Sequence, residues 1–189
     1  MPFNHCRQCG RLFHFLDPIV RVESASSWPN DTDSQCPDCR RLSRDRESAE
    51  EEFRNLYLLS GIATGNVKPS EIKALEDLFG YRFPSAYRAY LRVCGSHPPE
   101  GVTGSDCTTN HLRMINDAAS GVIEEHKVTS LFPKAFFVFL MRQGYPFLYF
   151  PLEDPADPPV YSYLQGDAES KRVSSRFSDW ATNLAPSIG

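Results

Sequence analysis

The chain has 189 residues, of which 41% are hydrophobic, 23% charged and 12% aromatic. This composition is typical of a globular domain with an aromatic core, alone or with a small accessory module, and it excludes collagen, coiled coils and disordered tails. The formal net charge of −4 makes a phosphate backbone a poor partner for the whole protein. No signal-peptide pattern and no apolar run of about 18 residues occurs, so we expect a cytoplasmic protein with reduced cysteines and no membrane contact.

The first 46 residues contain four of the six cysteines and few branched aliphatic residues, so they cannot easily form a hydrophobic core. Cys6-x-x-Cys9 and Cys36-x-x-Cys39 are two paired turns that together offer the four thiolates of a closed, tetrahedral zinc site. We therefore predict a zinc-ribbon-like module over residues 1–46. Its structural Zn²⁺ would be held by Cys6, Cys9, Cys36 and Cys39, and metal binding would drive its folding.

Three alternatives to this zinc site remain open, and the simplest is a pair of turns that holds no metal. A single Cys-x-x-Cys turn can carry thiol redox chemistry, although the surrounding sequence lacks the βαβ pattern of thioredoxin-like proteins. His5 or His14 could also replace one cysteine as a ligand, since both flank the first pair. The two correctly spaced cysteine pairs favour the four-thiolate site.

Residues 47–65 read as a connecting helix. Ser48 and Glu51 have the spacing of a capping box, which predicts a helix start near residue 48. Gly61 and Gly65 would end this helix. The spacing i, i+3, i+4, i+7 of one helix face is matched by Phe53, Leu56, Tyr57 and Ser60.

Two short helices are predicted next. The first begins at Pro69 and stops at Gly80, and the second begins at Pro84 and stops before Gly95. Their apolar faces are formed by Ile72, Leu75 and Phe79, and by Tyr87, Tyr90, Leu91 and Cys94.

Three strands follow a polar, loop-like region from Ser96 to Asn110. Phe136–Met141 is apolar at every position, which predicts a central strand covered on both faces. Phe147–Phe150 returns after a turn, and Val160–Leu164 follows the loop of residues 153–159, whose prolines mark strand ends or an edge. A last helix face is formed by Phe177, Trp180, Ala181 and Leu184.

No catalytic motif is evident, and we expect a protein without enzymatic activity. The sequence lacks a zinc-protease helix, a phosphate-binding glycine loop, a nucleophile elbow and a dinucleotide fingerprint. Glu124-Glu125-His126 reads as a solvated surface, because no nucleophile stands beside it. Cys94 reads as a buried free thiol, and nothing in its polar loop marks Cys107 as a nucleophile.

From Lys68 onward a series of motifs stands in a fixed order: Ile72, Leu75-Glu76, Phe79-Gly80, Phe83-Pro84, Tyr87, Tyr90-Leu91 and Cys94-Gly95. This series resembles the opening of the Smi/Knr domain of the SUKH superfamily. Later matches, in the same order as in the family, are Phe137-Val138-Phe139, Gln143-Gly144-Tyr145, Pro159-Val160-Tyr161 and the segment from Val173 to Trp180. Cys94 departs from the family pattern, which usually has Asn or a similar polar residue there.

The resemblance implies an α+β domain over residues 66–189, with a mostly antiparallel sheet and helices packed on it. Members usually bind proteins and share no catalytic residues. Bacterial members commonly act as immunity proteins against polymorphic toxins, and fungal members regulate cell-wall synthesis. The small N-terminal zinc-ribbon-like module lies outside the shared domain.

The first functional hypothesis is therefore a cytoplasmic immunity protein that neutralises a toxin domain by direct binding. The acidic loop residues Glu153, Asp154 and Asp157 are candidate partner contacts, since an acidic surface suits a basic nuclease toxin. The second hypothesis is a regulatory adaptor that joins two partners. A third is a nucleic-acid binder that uses Arg40, Arg41, Arg44 and Arg46, although residues 1–46 carry seven Arg against six acidic residues and are not basic overall.

Overall fold

The computed structural model describes residues 3–5, 12–14, 37–154 and 156–184, with side chains described from residue 44 onward. The chain divides into two compact units, Met1–Ser48 and Ala49–Gly189. Its strands are β1 Phe3–His5, β2 Leu12–His14, β3 Phe136–Met141, β4 Pro146–Pro151, β5 Val160–Leu164 and β6 Lys171–Ser174. Its α-helices are α1 Pro37–Leu59, α2 Pro69–Phe79, α3 Ser85–Cys94, α4 Leu112–Glu125 and α5 Phe177–Thr182, and short 3-10 turns lie at Glu100–Val102 and Thr129–Leu131.

The larger unit has the predicted α+β architecture. Strands β3 to β6 form an antiparallel sheet in the order β3-β4-β5-β6, and α2 to α5 belong to the same unit. In the smaller unit β1 and β2 pair antiparallel, with Asn4 opposite Phe13. Within the described ranges, no helix combines the length and the apolar character needed to cross a bilayer.

The two short helices predicted from Pro69 and Pro84 are confirmed as α2 and α3. Pro69 lies in the first turn of α2, where a missing N–H leaves no hydrogen bond unmade. Gly80 ends α2 in the left-handed conformation, with φ of 77°. Eight of the ten residues of α3 are buried, which makes it the central helix of the larger unit.

Aromatic rings fill the core between α3 and the sheet, as the composition predicts. The Tyr87 ring lies 5.1 Å from Phe150 and 5.4 Å from Phe177, measured between centroids. The Phe139 ring lies 4.8 Å from Trp180. The Phe177 and Trp180 contacts are edge-to-face, a geometry that aromatic pairs favour. The predicted aromatic helix is therefore α5, which covers one face of the sheet but ends at Thr182, so Leu184 of the predicted face lies beyond it.

A buried ion-pair network joins α1, α2 and α3. Arg88 of α3 donates to Glu50 of α1 over 2.7 Å and to Glu76 of α2 over 2.6 Å. Arg92 reaches Glu50 over 3.2 Å, and the second Glu76 oxygen accepts the Phe83 backbone N–H over 2.8 Å. Buried charges are tolerated only when they are paired and hydrogen-bonded in this way, so the network fixes where the last turns of α1 lie.

The start of α1 differs from the prediction. Ser48 and Glu51 suggested a helix start near residue 48, but α1 begins at Pro37. No glycine or proline occurs from residue 38 to Leu59, so nothing interrupts the helix, and Pro37 is well suited to its first turn. At the other end the helix stops at Leu59, just before Gly61 with φ of 76°, as predicted.

Strand β3 has the predicted bounds but not the predicted central position, because it lies at an edge of the sheet. Its outer backbone is covered instead by other groups. The Asn116 side chain of α4 donates to the Val138 carbonyl over 2.8 Å and accepts the Val138 N–H over 3.1 Å. Asp106 and Met141 exchange two further backbone bonds of 2.8 and 3.0 Å. The strand is thus buried without a neighbouring strand on that side.

Helix α4 and strand β6 are elements that the sequence analysis did not predict. The buried face of α4 is formed by Leu112, Ile115, Ala119 and Ile123, and its other positions are mostly polar or small. β6 pairs only with β5 and has one apolar residue, Val173, which is 49% exposed. β6 has no apolar pattern to predict it, whereas Leu112, Ile115, Ala119 and Ile123 do have the spacing of one helix face, which the sequence analysis did not use.

Candidate protein-binding surfaces

The predicted acidic loop connects β4 to β5 near the first turn of α3. One Asp154 carboxylate oxygen accepts the backbone N–H of Ala156 over 2.8 Å and that of Asp157 over 3.3 Å, which forms a tight turn. The Ala156 carbonyl in turn accepts the Ala86 N–H of α3 over 2.9 Å. Asp154 therefore shapes a loop that is tied to the helix.

Asp157 caps α5. Its two oxygens accept the Ser178 backbone N–H over 2.8 Å and the Ser178 hydroxyl over 2.5 Å. A carboxylate is favourable at this position, because it satisfies N–H groups that lack a helical partner. Glu153 is exposed, whereas Asp154 and Asp157 are half-buried. Partner binding by these three residues stays a prediction, and Glu153 is the residue whose side chain lies most open to solvent.

A different arrangement lies at the other end of α3, where loops are tied to the helix by main-chain bonds. The N–H groups of Thr64 and Gly65 both donate to the Val93 carbonyl, over 3.1 and 3.0 Å. The Thr109 N–H donates to the Gly95 carbonyl over 2.9 Å. Because these bonds use only backbone groups, they leave the loop side chains available for other contacts.

These loops and the outer face of α2 enclose a groove of about 530 Å³, which we call the α2 groove. Its lining is formed by Asn66, Val67, Glu71, Ala74, Leu75, Leu78, Ser96, Thr109 and Asn110. Gly65 immediately precedes Asn66 of this lining. A Cβ atom on Gly65 would collide with the Ser96 hydroxyl and would lie 2.7 Å from the His97 ring, so a larger residue here would require these two exposed side chains to turn away.

The two cysteines of the larger unit are both buried. The Cys94 thiol donates to the Ile62 carbonyl over 3.1 Å, as the prediction of a buried free thiol requires. Burial raises the pKa of Cys94 to about 12 and that of Cys107 to about 11. Both groups therefore stay protonated at neutral pH, and a protonated, buried thiol is a poor nucleophile.

The predicted zinc ligands fall mainly outside the described residues. Only the backbone of Cys39 is described, in the first turn of α1, and Cys6, Cys9 and Cys36 lie outside. In the part of the chain whose side chains are described, no group of three or more His, Cys, Asp or Glu residues could hold a metal ion. The zinc site stays a prediction.

The α2 groove was not identified from the sequence. Its walls come from segments far apart in the chain; the Thr64 hydroxyl, for example, donates to the His97 carbonyl across 33 positions over 2.6 Å. Residues 96–110 read only as a polar loop. The one local signal is Gly65, which was interpreted as a helix end and which lies in close contact with Ser96 in the structure.

Comparison with known proteins agrees with this architecture. No curated protein matches the chain. The family model described as the SMI1 / KNR4 family (SUKH-1) matches residues 66–183, which include α2, α3, the whole four-stranded sheet and α5. That span is well over half of the sequence and agrees with the predicted resemblance, so the chain belongs to the SMI1 / KNR4 family (SUKH-1).

Proposed function

We propose that this protein is a cytosolic immunity protein that neutralises a polymorphic toxin by direct binding. The observation that carries the proposal is the SUKH-1 domain over residues 66–183, since bacterial proteins of this superfamily commonly have that role. The described part of this domain presents shaped loops at both ends of α3, and binding residues are often found on loops that a rigid scaffold positions.

The charge distribution favours a basic partner. The unit Ala49–Gly189 has 13 Lys and Arg residues against 17 Asp and Glu residues, so it carries the whole net charge of −4. Opposite charge speeds the encounter of two proteins and disfavours wrong partners. A toxin that acts on nucleic acid has a basic surface, and an acidic inhibitor would be complementary to it.

Binding rather than catalysis is the proposed mode of action. The buried thiols of Cys94 and Cys107 have raised pKa values, which makes them unsuited to nucleophilic attack. In the acidic loop, Asp157 serves to cap α5 and Asp154 shapes a turn. We therefore expect Glu153 to make the direct partner contact at this loop, with the two aspartates holding its backbone.

We also propose that the N-terminal module binds one structural Zn²⁺ through Cys6, Cys9, Cys36 and Cys39. Two features support this proposal: β1 and β2 pair on either side of the segment that contains the first cysteine pair, and α1 begins between the cysteines of the second pair. Four thiolates would leave no open coordination position, so the ion would stabilise the module and not react.

Metal analysis of the purified full chain tests the zinc proposal. One equivalent of zinc is expected, and the Cys36→Ser/Cys39→Ser variant should contain none. Cys94→Ser is the matched control, since Cys94 is a buried thiol of the larger unit, and it should retain the zinc. Wild-type protein purified without chelator that contains no zinc would contradict the proposal.

The proposed function is tested by capturing partners of the tagged full chain in its native host and identifying them by mass spectrometry. A captured toxin-like protein is then expressed in sensitive cells with and without this chain. We expect survival only with the chain, together with a stable complex on size-exclusion chromatography. A toxin encoded beside this gene that still kills in the presence of the chain would contradict the immunity role.

A regulatory adaptor is the second candidate function, and it is favoured by one observation. The chain has two compact units, Met1–Ser48 and Ala49–Gly189, and an adaptor could use each unit for a different partner. Capture of envelope-synthesis proteins alone would favour this role. In that case the Cys6→Ser/Cys36→Ser variant should lose one partner, and substitutions in the larger unit should lose a different one.

A further inference from the structure

The α2 groove has an unusual balance of charge. Glu71 is its one charged lining residue, and no Lys or Arg of the described chain contributes to its lining. A second groove of about 320 Å³ shares Asn66 with it but is lined by Arg54 and Arg92, which both pair with Glu51. Of these two grooves, the α2 groove is therefore the one that carries a negative charge, and it is a poor site for a phosphate or a nucleic acid.

The polar side chains of the α2 groove are accessible to solvent: Asn66, Glu71 and Asn110 are exposed, and Thr109 is half-buried. Among the described residues, no partner exists for the side chains of Asn66, Thr109 and Asn110. One Glu71 oxygen accepts the Lys68 backbone N–H over 2.8 Å, and the other has no such partner in this part of the chain. The groove thus offers a carboxylate oxygen together with two amides and a hydroxyl.

The floor of the same groove is apolar. Val67 is buried, Leu75 is half-buried and Leu78 is 55% exposed on the rim. A lysine or arginine side chain is complementary to such a groove, because its methylene groups cover apolar surface while its charged end reaches a carboxylate. A guanidinium group could in addition donate to the side-chain oxygens of Asn66 and Asn110.

The groove is also preorganised. Its walls are tied to α3 by main-chain bonds to Val93 and Gly95, and the Thr64 hydroxyl ties the two loops together by donating to the His97 carbonyl. A site that keeps its shape without a ligand loses less entropy on binding.

We propose that the α2 groove is a docking site for a loop of a protein partner that presents an arginine or lysine side chain. This inference rests on the proposed function, since it names the chemistry by which the partner would be recognised. The basic side chain lies along Leu75 and Leu78, and its charged end meets Glu71. The groove lies at the opposite end of α3 from Glu153, so it constitutes a second contact region.

The first test needs no natural partner. N-acetyl-arginine-methylamide is titrated into the ¹⁵N-labelled full chain, and the same titration is made with the uncharged analogue N-acetyl-citrulline-methylamide. We expect the arginine probe alone to shift the side-chain amide signals of Asn66 and Asn110 and the backbone signal of Glu71. These shifts should disappear in Glu71→Gln and persist in Glu124→Gln, which changes an exposed carboxylate of α4.

Absence of groove shifts with the arginine probe, or equal shifts with the citrulline probe, would overturn the docking site whatever the natural partner is. Binding of the captured toxin to the same variants forms the second test. Glu71→Gln and Leu78→Ser should each weaken the complex by about tenfold or more, because a charge-assisted hydrogen bond or its apolar support is lost. Glu124→Gln should stay within about twofold of wild type.

The two tests separate the two proposals. If the wild-type chain binds the arginine probe in the groove but protects against no toxin, the docking site is supported and the immunity role is contradicted. A wild-type chain that binds the toxin tightly, with Glu71→Gln and Leu78→Ser both within about twofold of it, would retain the immunity role and overturn the docking site. Unchanged melting temperatures of both variants would exclude unfolding as the cause of any loss.

Discussion

The two ends of α3 use their polar side chains in opposite ways. At the N-terminal end, Asp154 and Asp157 bind backbone groups of their own chain and hold a loop and α5 in place. At the C-terminal end, about 15 Å away along a ten-residue helix, the loops are tied to the helix by main-chain bonds, and the Thr64 hydroxyl adds one bond between the loops. The carboxylate of Glu71 there keeps one oxygen without a partner among the described residues.

An acidic residue in a loop therefore does not by itself indicate partner binding, because its side chain can be used in hydrogen bonds within the chain. Asp157 lies in a polar loop, where the sequence suggests an exposed contact, but its carboxylate stabilises the fold by accepting two hydrogen bonds from Ser178. Glu71 lies in the first turn of α2, where an acidic residue is expected to stabilise the helix, but its side chain also lines the α2 groove. Changes at each end should therefore affect different measurements, stability at one end and binding at the other.

Loss of the Asp157 cap should have the greatest effect on stability. Asp157→Ala removes two hydrogen bonds and leaves the backbone N–H and hydroxyl of Ser178, a residue only 3% exposed, without their acceptor. We expect the free energy of unfolding in urea to fall by about 2–3 kcal/mol. The matched change Glu153→Ala, in the same loop but exposed, should cost less than about 0.5 kcal/mol. Equal stabilities of the two variants would mean that the cap does not support α5.

At the other end of α3, the close approach of the two loops is tested by Gly65→Ala. The new Cβ would collide with the Ser96 hydroxyl and would lie 3.3 Å from the His97 backbone nitrogen. We expect a loss of about 1–2 kcal/mol in unfolding free energy, because the exposed Ser96 and His97 side chains must turn away and the His97 backbone must shift slightly. Gly121→Ala in α4 is the control: nothing lies within 4 Å of its Cβ, and alanine favours a helix by about 1 kcal/mol. A Gly65→Ala variant as stable as wild type would show that the groove wall can move.

Local signals in the sequence predicted the parts of the fold whose pattern is dense and well bounded. Helices α2 and α3 have apolar faces between prolines and glycines, and β3 and β5 are apolar runs with the bounds that were predicted. The aromatic face of α5 was found in the same way. In each case neighbouring residues alone specify the element and the face that it buries.

Features that depend on distant residues could not be predicted. The edge position of β3 is possible because Asn116, 22 positions away, bonds to Val138. The role of Asp157 depends on Ser178, 21 positions further along. Ser48 and Glu51 match a capping box, but an uninterrupted helix from Pro37 overrides that local preference. The groove escaped prediction for the same reason, because no single segment contains it.

The thiol at the C-terminal end of α3 should make stability depend on alkaline pH. Burial raises the pKa of Cys94 from 9.0 to about 12, so the folded chain keeps a proton that the unfolded chain releases above pH 9. The stabilisation is complete below pH 9 and is lost as the pH rises from 9 towards 12. At pH 10 wild type should have lost about 1.4 kcal/mol more than Cys94→Ala, relative to each protein at pH 8. Parallel pH profiles in urea denaturation would contradict this assignment.

The smallest stability effect is expected for Glu71→Gln, although Glu71 lines the α2 groove. The amide oxygen of glutamine can still accept the Lys68 N–H, and glutamine serves as well as glutamate at this helix position. We expect a change below about 0.5 kcal/mol in unfolding free energy. The same carboxylate-to-amide change at the other end, Asp157→Asn, should cost more, because both of its oxygens accept hydrogen bonds from Ser178 and an amide has only one acceptor. If Glu71→Gln proved the more destabilising of the two, Glu71 would be a structural residue, and the distinction between the two ends of α3 would disappear.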